Sequence, residues 1–371
     1  MKSTLLILAF FLFGSDLLEA QNLYPVVKKN KWGYMNSEGK MVIGFKYDLA
    51  QNFHEGYASV ALGNMPCLID VNERRVIDSG IYQYVGSCSE GLVSVMDYKF
   101  NRYYLNTKGK VVLTLPKEIY DARGFCNGLA RVGKKVDVVQ NKFGFDISNL
   151  GYKFAYMKKD GTMATDFVFD DGDDMDNGLA RFLQGTKFGL IDSNATIILE
   201  PSYEFISSFN EGLATVNKGG KFGFINTSGA EQIAPQYTYA KEFNEGLAAA
   251  EQEGKFGFID TSGTFVIAPQ YQDIRPFSEG RAAVLYQGKW AFIDAKGNYI
   301  YQPYFEEAGY FNEGLCPVKL KGKWGAIDKE GHILVPFEFE NIGIFEDGLA
   351  EVIYKSINLY VNRRGEVLPK L

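Results

Sequence analysis

The chain has 371 residues, a net charge of −6 and a sequence pI near 5.3, with acidic and basic residues interspersed. This balance excludes an ordinary nucleic-acid binder, because such proteins concentrate basic residues on one face. The chain contains 40 Gly, 23 Tyr and 29 Phe residues, and this composition favours β structure with frequent turns.

The N-terminus has the pattern of a secretory signal. Lys2 precedes an apolar run over residues 5–13, and residues 18–20 offer a cleavage site. The alternative is an uncleaved anchor, but the apolar run is short for a bilayer span. We therefore predict a signal peptide over residues 1–20, export to the periplasm or the extracellular space, and no membrane span after cleavage.

After the signal, one short phrase recurs through the sequence. The phrase is "KFGFINTSG" at Lys221, "KFGFIDTSG" at Lys255 and "KWGAIDKEG" at Lys323. Its third, small residue recurs every 34 residues from Ala155 to Leu359. A fixed period of this length is typical of a repeat architecture.

Each copy is predicted to form a three-stranded antiparallel meander. In the copy at 246–271, turns at Glu253-Gly254 and at 260–263 separate three strands, and Pro269 is expected to end the third. Apolar residues lie on both faces of the middle strand, so neighbouring meanders must cover them. We predict an all-β array of about ten meanders, open and curved, with a closed propeller-like ring as the alternative. Ten blades would exceed the usual four to eight of a propeller.

The Lys-Trp-Gly phrases at Lys31 and Lys323, with the Phe-x-Glu-Gly-Leu-Ala phrase between them, resemble the WG-type β repeat of bacterial proteins. The resemblance covers nearly the whole chain after residue 20. It implies a β-repeat fold and a bacterial origin, and it implies almost no chemistry. The copies at 65–67 and 101–103 depart from the pattern, so irregular packing is expected there.

The domain organisation follows from the repeat. Irregular copies occupy 21–132, an extended hairpin occupies 133–152, and regular copies occupy 153–371. The aromatic residue that opens the phrase is predicted to plug the core of each copy, and the small residue after it to permit close approach. The predicted core plugs are Trp32, Phe188, Phe222, Phe256, Trp290 and Trp324. One interpretation of the repeated acids is a row of glutamates (Glu211, Glu245, Glu279 and Glu313) opposite a row of lysines (Lys221, Lys255, Lys289 and Lys323).

No nucleophile motif, metal-ligand spacing or phosphate loop stands out in the sequence. His54 and His332 occupy loop and turn positions that other copies fill with polar residues, and the repeated turn aspartates are explained by turn formation. We therefore predict a protein that is not an enzyme and needs no cofactor. The four cysteines are predicted to be small buried thiols; a Cys67–Cys88 disulfide is the alternative.

The segment 166–176 contains six aspartates in eleven residues. Oxygen-rich loops suit calcium, and the candidate ligands are Asp171, Asp173 and Asp176. The spacing does not fit the EF-hand rule, and the final bidentate glutamate is missing. An ordinary solvated acidic loop is therefore the preferred interpretation.

The hairpin is longer than its counterparts, and insertions in repeat arrays often carry recognition. Its candidate partner-binding residues are Lys134, Lys135, Lys142, Phe143 and Phe145. We predict an exported, non-enzymatic scaffold for protein–protein interaction at the bacterial envelope, with an unidentified protein partner. A glycan-binding array is the alternative, and a hydrolase is a third, weaker one.

Overall fold

The structure, a computed structural model, describes residues 23–36, 40–136 and 151–368. It divides after Phe125 into two compact units. All regular structure in the described residues is β strand, arranged in ten antiparallel sheets that follow the chain order. The all-β repeat class is therefore confirmed. The predicted signal peptide lies outside the described residues, and within them no helix has the length and apolarity of a membrane span.

The N-terminal unit contains three sheets. Their strands are β1 (Tyr24–Lys28), β2 (Lys31–Met35) and β3 (Met41–Tyr47) in the first; β4 (Leu49–Ala50), β5 (Tyr57–Leu62), β6 (Met65–Asp70) and β7 (Arg75–Ile77) in the second; and β8 (Tyr84–Ser89), β9 (Leu92–Met96), β10 (Arg102–Asn106) and β11 (Val111–Thr114) in the third.

The remaining seven sheets follow in order. Their strands are β12 (Ile119–Cys126), β13 (Leu129–Lys135) and β14 (Tyr152–Lys158); β15 (Asp171–Gly172), β16 (Leu179–Gln184), β17 (Lys187–Asp192) and β18 (Ile197–Tyr203); β19 (Phe205–Ile206), β20 (Leu213–Lys218), β21 (Lys221–Asn226) and β22 (Glu231–Tyr237); β23 (Tyr239–Asn244), β24 (Leu247–Gln252), β25 (Lys255–Ile259) and β26 (Phe265–Tyr271); β27 (Asp273–Ile274), β28 (Ala282–Tyr286), β29 (Lys289–Ile293) and β30 (Tyr299–Phe305); β31 (Glu307–Ala308), β32 (Leu315–Leu320), β33 (Lys323–Asp328) and β34 (Ile333–Phe339); and β35 (Asn341–Ile342), β36 (Leu349–Tyr354), β37 (Ile357–Asn362) and β38 (Val367–Leu368).

Eight of the ten sheets have one strand more than the predicted meander. The added strand comes first and occupies residues expected to form the loop between copies, as β19 does beside β20, with Ile206 opposite Val216. A strand of two residues has no alternation for a sequence pattern to reveal. A four-stranded antiparallel sheet in chain order is the blade of the propeller-like alternative.

The third long strand of a copy does not end at its proline. β26 continues through Pro269, because a bulge interrupts its pairing with β25: Phe258 lies opposite Ile267, and Phe256 lies opposite Tyr271. β26 thus advances four residues while β25 advances two. The extra residues bulge out of the pairing, so Pro269 does not have to donate a hydrogen bond to β25. The bulge also brings backbone close to the small marker residue. A Cβ on Gly223 would lie 2.5 Å from the Ile233 carbonyl oxygen.

The hydrophobic core lies between successive sheets. In the C-terminal unit, Phe258 and Tyr271 of one sheet pack with Ile274, Val284 and Ile293 of the next, and none is more than 1% exposed. Both faces of the middle strands are therefore covered, as the apolar pattern predicts. Among the predicted core plugs, Trp290 is 5% exposed and belongs to a core cluster. The other five are half-buried and pack against the edges of such clusters: Trp32, Phe188, Phe222, Phe256 and Trp324.

The repeated glutamates bind backbone amides of the following repeat. Glu211 accepts hydrogen bonds from the amides of Glu245 and Gly246 at 2.7 and 2.9 Å. Glu245 accepts one from Gly280 at 2.8 Å, and Glu55 of the N-terminal unit makes the same contact with Gly91. The acids thus join one Glu-Gly turn to the next, in place of the row of lysines considered from the sequence.

Candidate protein-interaction surface

An exposed cluster of large apolar side chains lies on the third sheet of the N-terminal unit. We call it the aromatic tip and define it as Ile81, Tyr84, Tyr98 and Phe100, which are 53, 50, 55 and 65% exposed. Tyr84 lies opposite Met96, and the Gln83 amide donates to the Met96 carbonyl. The start of β8 therefore lies beside the end of β9, so the four residues belong to the end of the sheet that contains the β9–β10 turn.

The turn that presents this cluster is held by the carboxylate of Asp97. That carboxylate accepts hydrogen bonds from the amides of Lys99 (2.8 Å) and Asn101 (2.9 Å), from the Asn101 side chain (2.9 Å) and from the Tyr103 hydroxyl (3.1 Å). These bonds hold the pKa of Asp97 below its usual value, and the bond from the Asn101 side chain contributes most. The Tyr103 ring also packs on Tyr82, with centroids 6.3 Å apart. Hydrogen bonds and a ring contact thus hold the turn that carries Tyr98 and Phe100.

Phe100 has a backbone conformation that glycine or asparagine normally takes. Its φ is 64°, the left-handed region, where a bulky residue is uncommon. In a three-residue hairpin loop that position favours glycine. The two-residue regular turn after β24 also has a glycine at positive φ, Gly254 (φ 75°). The exposed ring of Phe100 therefore occupies a position whose backbone conformation favours glycine. Bulky residues in the left-handed region are enriched at functional sites.

Part of this surface is visible in the sequence. The third copy departs from the Lys-Trp-Gly phrase at 101–103, and this departure predicts irregular packing but no exposed surface. The span from Leu92 to Tyr103 is one residue longer than that from Leu247 to Gly257. Aromatic residues at a lengthened turn are the sequence feature that indicates the tip.

The predicted partner-binding hairpin is described only at its base. Lys135 is exposed at the end of β13, and Lys134 is half-buried with its amine 4.5 Å from the centroid of the Phe167 ring. Lys134 thus packs on its own unit. Lys142, Phe143 and Phe145 lie outside the described residues.

The acidic segment is paired with arginines. Asp171 bonds to Arg131 and Asp173 bonds to Arg181, each at 2.5 Å, while Asp176 accepts from the Asn177 side chain. Arg131 is only 6% exposed, so its charge is balanced largely within the fold. In the structure, two of the three calcium candidates thus form ion pairs with arginines, and the third accepts a hydrogen bond from the neighbouring residue.

Within the described residues, three potential metal ligands gather at a turn in the C-terminal unit: Asp328, Glu330 and His332, with their ligand atoms within 4.8 Å. Asp328 accepts hydrogen bonds from the amides of the other two residues, and its second oxygen lies 2.9 Å from the His332 ring. The cluster is therefore the repeated aspartate turn with a histidine added.

The cysteines are free thiols in the structure. Cys67, Cys88 and Cys316 are buried, as predicted, and Cys126 is half-buried. Burial raises the pKa of the Cys88 thiol to about 12, and its sulfur lies 3.4 Å from the Glu55 carboxylate. Burial also raises the pKa of the Cys67 and Cys316 thiols. The three buried thiols are therefore poor nucleophiles, because the thiolate is the reactive form.

The fold, the phrases and the turn chemistry define a β-repeat protein. The family described as "WG containing repeat" matches seven segments, which together cover more than half of the chain: residues 32–65, 154–187, 188–222, 222–256, 256–290, 290–324 and 324–354. The chain belongs to this WG repeat family, which confirms the resemblance drawn from the phrases. The aromatic tip lies outside the matched segments. A search of curated proteins found no match.

Solved structures provide distant likenesses. The chain is 11% identical to a structure titled as the eukaryotic initiation factor, covering 94% of this chain and 95% of that one, with a TM-score of 0.49. It is 8% identical to BamB from Moraxella catarrhalis, covering 76% and 94%, with a TM-score of 0.33. Scores at this level carry no argument about function.

Proposed function

We propose that this WG repeat protein is an exported, non-enzymatic scaffold that binds a protein partner of the bacterial envelope through the aromatic tip. The single observation that carries the proposal is the set of four exposed apolar side chains, three of them aromatic, of which Tyr98 and Phe100 lie on a turn held by the Asp97 carboxylate. Tyrosine and other aromatic residues are enriched at protein interfaces, where they bury large areas at low entropic cost.

The surroundings of the tip support a protein partner. Met65 is 46% exposed and lies beside Gly80, since a Cβ there would be 3.3 Å from the Met65 sulfur. It therefore extends the apolar surface next to Ile81. Methionine adapts to irregular partners, and exposed Lys99 gives the surface a charged rim.

Export is supported by the signal pattern of residues 1–20. Fractionation of cells that make the tagged protein tests this part of the proposal. We expect the mature chain outside the cytoplasm, beginning at Gln21 by N-terminal sequencing. A cytoplasmic chain that retains Met1 would overturn it.

Affinity capture from envelope extract, with identification of the bound protein and a titration against it, tests the binding role. The variant Tyr98→Ser/Phe100→Gly removes two rings and leaves the Asp97 contacts in place. Loss of two central aromatic residues is expected to weaken binding at least about thirtyfold.

Tyr304→Ser is the matched control, because Tyr304 is similarly exposed (51%) on the regular C-terminal unit. We expect this control to bind like the parent. Equal binding by the parent and the tip variant would show that recognition lies elsewhere.

A further inference from the structure

The turn between the second and third strands of a four-stranded sheet has an exposed amide that a side chain binds. The acceptor is the residue just before the first, short strand of the same sheet. In the N-terminal unit, the Asp48 carboxylate accepts from the Gly63 amide at 2.7 Å. Five repeats of the C-terminal unit have the same contact: Asp170 with Gly185, Glu204 with Gly219, Gln272 with Gly288, Glu306 with Gly322, and Glu340 with Ser356.

A lysine of the preceding sheet joins this contact in three repeats. The ion pairs are Lys31 with Asp48 at 2.5 Å, Lys153 with Asp170 at 2.6 Å, and Lys187 with Glu204 at 3.3 Å. One carboxylate thus satisfies two donors, a lysine amine and a turn amide.

The sheet β23–β26 lacks this acceptor. Thr238 occupies the place of the acid, since its amide donates to the Glu251 carbonyl as the amides of the corresponding acids donate to the second strands of their sheets. Its hydroxyl donates to the same carbonyl at 3.1 Å. Within the residues that the structure describes, the Lys221 amine and the Gly254 amide therefore have no carboxylate between them and no other hydrogen-bond partner.

Both donors are accessible to a ligand. Lys221 and Gly254 are exposed, and a Cβ on Gly254 would meet no atom within 4 Å. A charged acceptor forms stronger hydrogen bonds than a neutral one. Since the other repeats bind a carboxylate with the same pair of donors, a carboxylate is the chemical group that these two donors suit.

An open cavity of about 520 Å³ begins beside the two donors. Phe222 directly follows Lys221, Tyr239 directly follows Thr238, and both rings line the cavity together with Phe205. The Phe222 and Tyr239 rings are tilted by 55°, with centroids 5.3 Å apart, so they form walls of a cleft and no flat stacking surface. Tyr239 and Phe205 remain 40 and 43% exposed. A cleft of this volume with apolar walls suits the body of a small ligand.

The other charges near the cavity limit the charge of the ligand. Lys241 lines the cavity, but its amine donates to the Ile274 carbonyl at 2.9 Å, and desolvation by burial lowers its pKa. Glu242 lines the cavity, Glu253 precedes Gly254, and both are exposed. A second negative charge on the ligand would face these carboxylates, so a single carboxylate is favoured over a phosphate or a dicarboxylate.

We propose that this site binds a small monocarboxylate with an apolar body, such as an arylalkanoic acid. The carboxylate accepts hydrogen bonds from the Lys221 amine and the Gly254 amide, and the apolar body lies against Phe222, Tyr239 and Phe205. The site belongs to the C-terminal unit and is additional to the protein-binding role of the aromatic tip.

NMR of the full mature chain, labelled with ¹⁵N-glycine, tests the proposal. The Gly254 signal is identified by its absence in Gly254→Asn, because asparagine takes the corresponding positive φ at Asn30 (φ 60°). The probes are 3-phenylpropionate and 4-methylpentanoate, with 3-phenylpropionamide and acetate as comparisons. We expect the first two to shift the Gly254 signal at millimolar concentration, and the amide and acetate to bind at least about tenfold more weakly.

Three outcomes would overturn the proposal. The first is no shift of the Gly254 signal with either carboxylate. The second is equal binding of 3-phenylpropionate and its amide, because the charge would then play no part. The third is a shift with the capped dipeptide Glu-Phe but with neither small carboxylate, because the occupant would then be a segment of a protein.

Substitutions at Thr238 locate the binding. Thr238→Glu restores the carboxylate of the other repeats, which should occupy the two donors and exclude the ligand. We expect at least about a tenfold loss of 3-phenylpropionate binding, with no fall in the thermal midpoint. Thr238→Ser is the control and should bind within about threefold of the parent. Unchanged binding by Thr238→Glu would contradict the proposal.

Lys221→Gln gives an independent check on the amine, with Lys296→Gln as the control at an exposed lysine of another turn. We expect the first to lose binding and the second to bind like the parent. The tip variant Tyr98→Ser/Phe100→Gly should also bind 3-phenylpropionate like the parent, which separates this site from the protein-binding role. Equal binding by Lys221→Gln and the parent would contradict the proposal.

Discussion

Two turns occupy equivalent places in their repeats: the turn after β9 in the N-terminal unit and the turn after β24 in the C-terminal unit. The first presents aromatic side chains to solvent, and the second does not. The first exposes Tyr98 and Phe100, and the second has Glu253 and Gly254. Both use positive φ angles to reverse the chain. The regular turn meets that demand with glycine, whereas the irregular turn meets it with a phenylalanine that is 65% exposed.

This difference separates positions that build the scaffold from positions available for recognition. The Glu-to-amide contact between repeats occurs in both units, at Glu55 and at Glu245. Turn geometry and the joining of repeats are thus maintained while the side chains at the tip change. Recognition is therefore expected where copies differ on the surface, and stability where they agree in the core.

The largest effect is expected from the scaffold. Phe258→Ala should reduce the free energy of unfolding by about 3–5 kcal/mol, because the ring is fully buried between sheets. Tyr98→Ala should change it by about 0.5 kcal/mol or less. Urea unfolding compares the two variants. A comparable loss in both would mean that the tip is part of the core.

Exchanging the turn residues should move stability in opposite directions. Phe100→Gly is expected to stabilise by about 0.4–1 kcal/mol, because a glycine takes the positive φ without strain. Gly254→Phe should destabilise by about 1–2 kcal/mol for the same reason. Unfolding midpoints measure both changes. A destabilised Phe100→Gly variant would show that the ring packs on its own sheet.

The carboxylate contact between repeats should contribute similarly in both units. Glu55→Ala and Glu245→Ala each remove an acceptor for backbone amides of the next repeat. Each should cost about 0.5–1.5 kcal/mol, as measured by thermal unfolding. A large loss of stability in one unit and none in the other would show that the glutamate contact does not have the same stabilising role in both units.

The smallest effect concerns pH. Hydrogen bonds lower the pKa of Asp97, mainly through the Asn101 side chain, and of Asp260, mainly through the Ser262 side chain. Because the folded-state pKa lies below the unfolded value of about 3.9, each carboxylate stabilises the fold above that pH. The contribution is lost as pH falls through the lower, folded-state value.

Asparagine variants test this sign. Asn226 already takes the place of Asp260 in the preceding repeat and accepts the same amide hydrogen bonds. Asp97→Asn and Asp260→Asn should therefore fold at pH 7 and show a smaller drop in thermal midpoint between pH 5 and pH 3 than the parent. An unchanged drop would assign the acid sensitivity to other groups.

Much of the fold could be predicted because its determinants are local and repeated. Gly254 and Asp260 mark turns by their own backbone preferences, and each recurs at the same register. The two-residue strand at Phe205–Ile206 could not be predicted, since its pairing depends on the sheet beside it. The strand through Pro269 was also missed, because the bulge that accommodates the proline depends on Gly257 in the partner strand.

The candidate sites were less predictable for a different reason. Tyr98 and Phe100 are ordinary apolar residues in a sequence rich in them, and only burial distinguishes an exposed ring from a core ring. The sequence makes the acidic segment a candidate metal site. It does not show that Arg131, 40 residues before Asp171, and Arg181 pair with these carboxylates.

Site-specific photo-crosslinking tests the central claim most directly. A photoreactive phenylalanine analogue replaces Tyr98 in one variant and Glu253, at the equivalent regular turn, in another, and both are irradiated in the producing cells. The account predicts a discrete adduct with one protein partner from position 98 and none from position 253. An adduct from position 253 with none from position 98, or the same adduct from both, would contradict it.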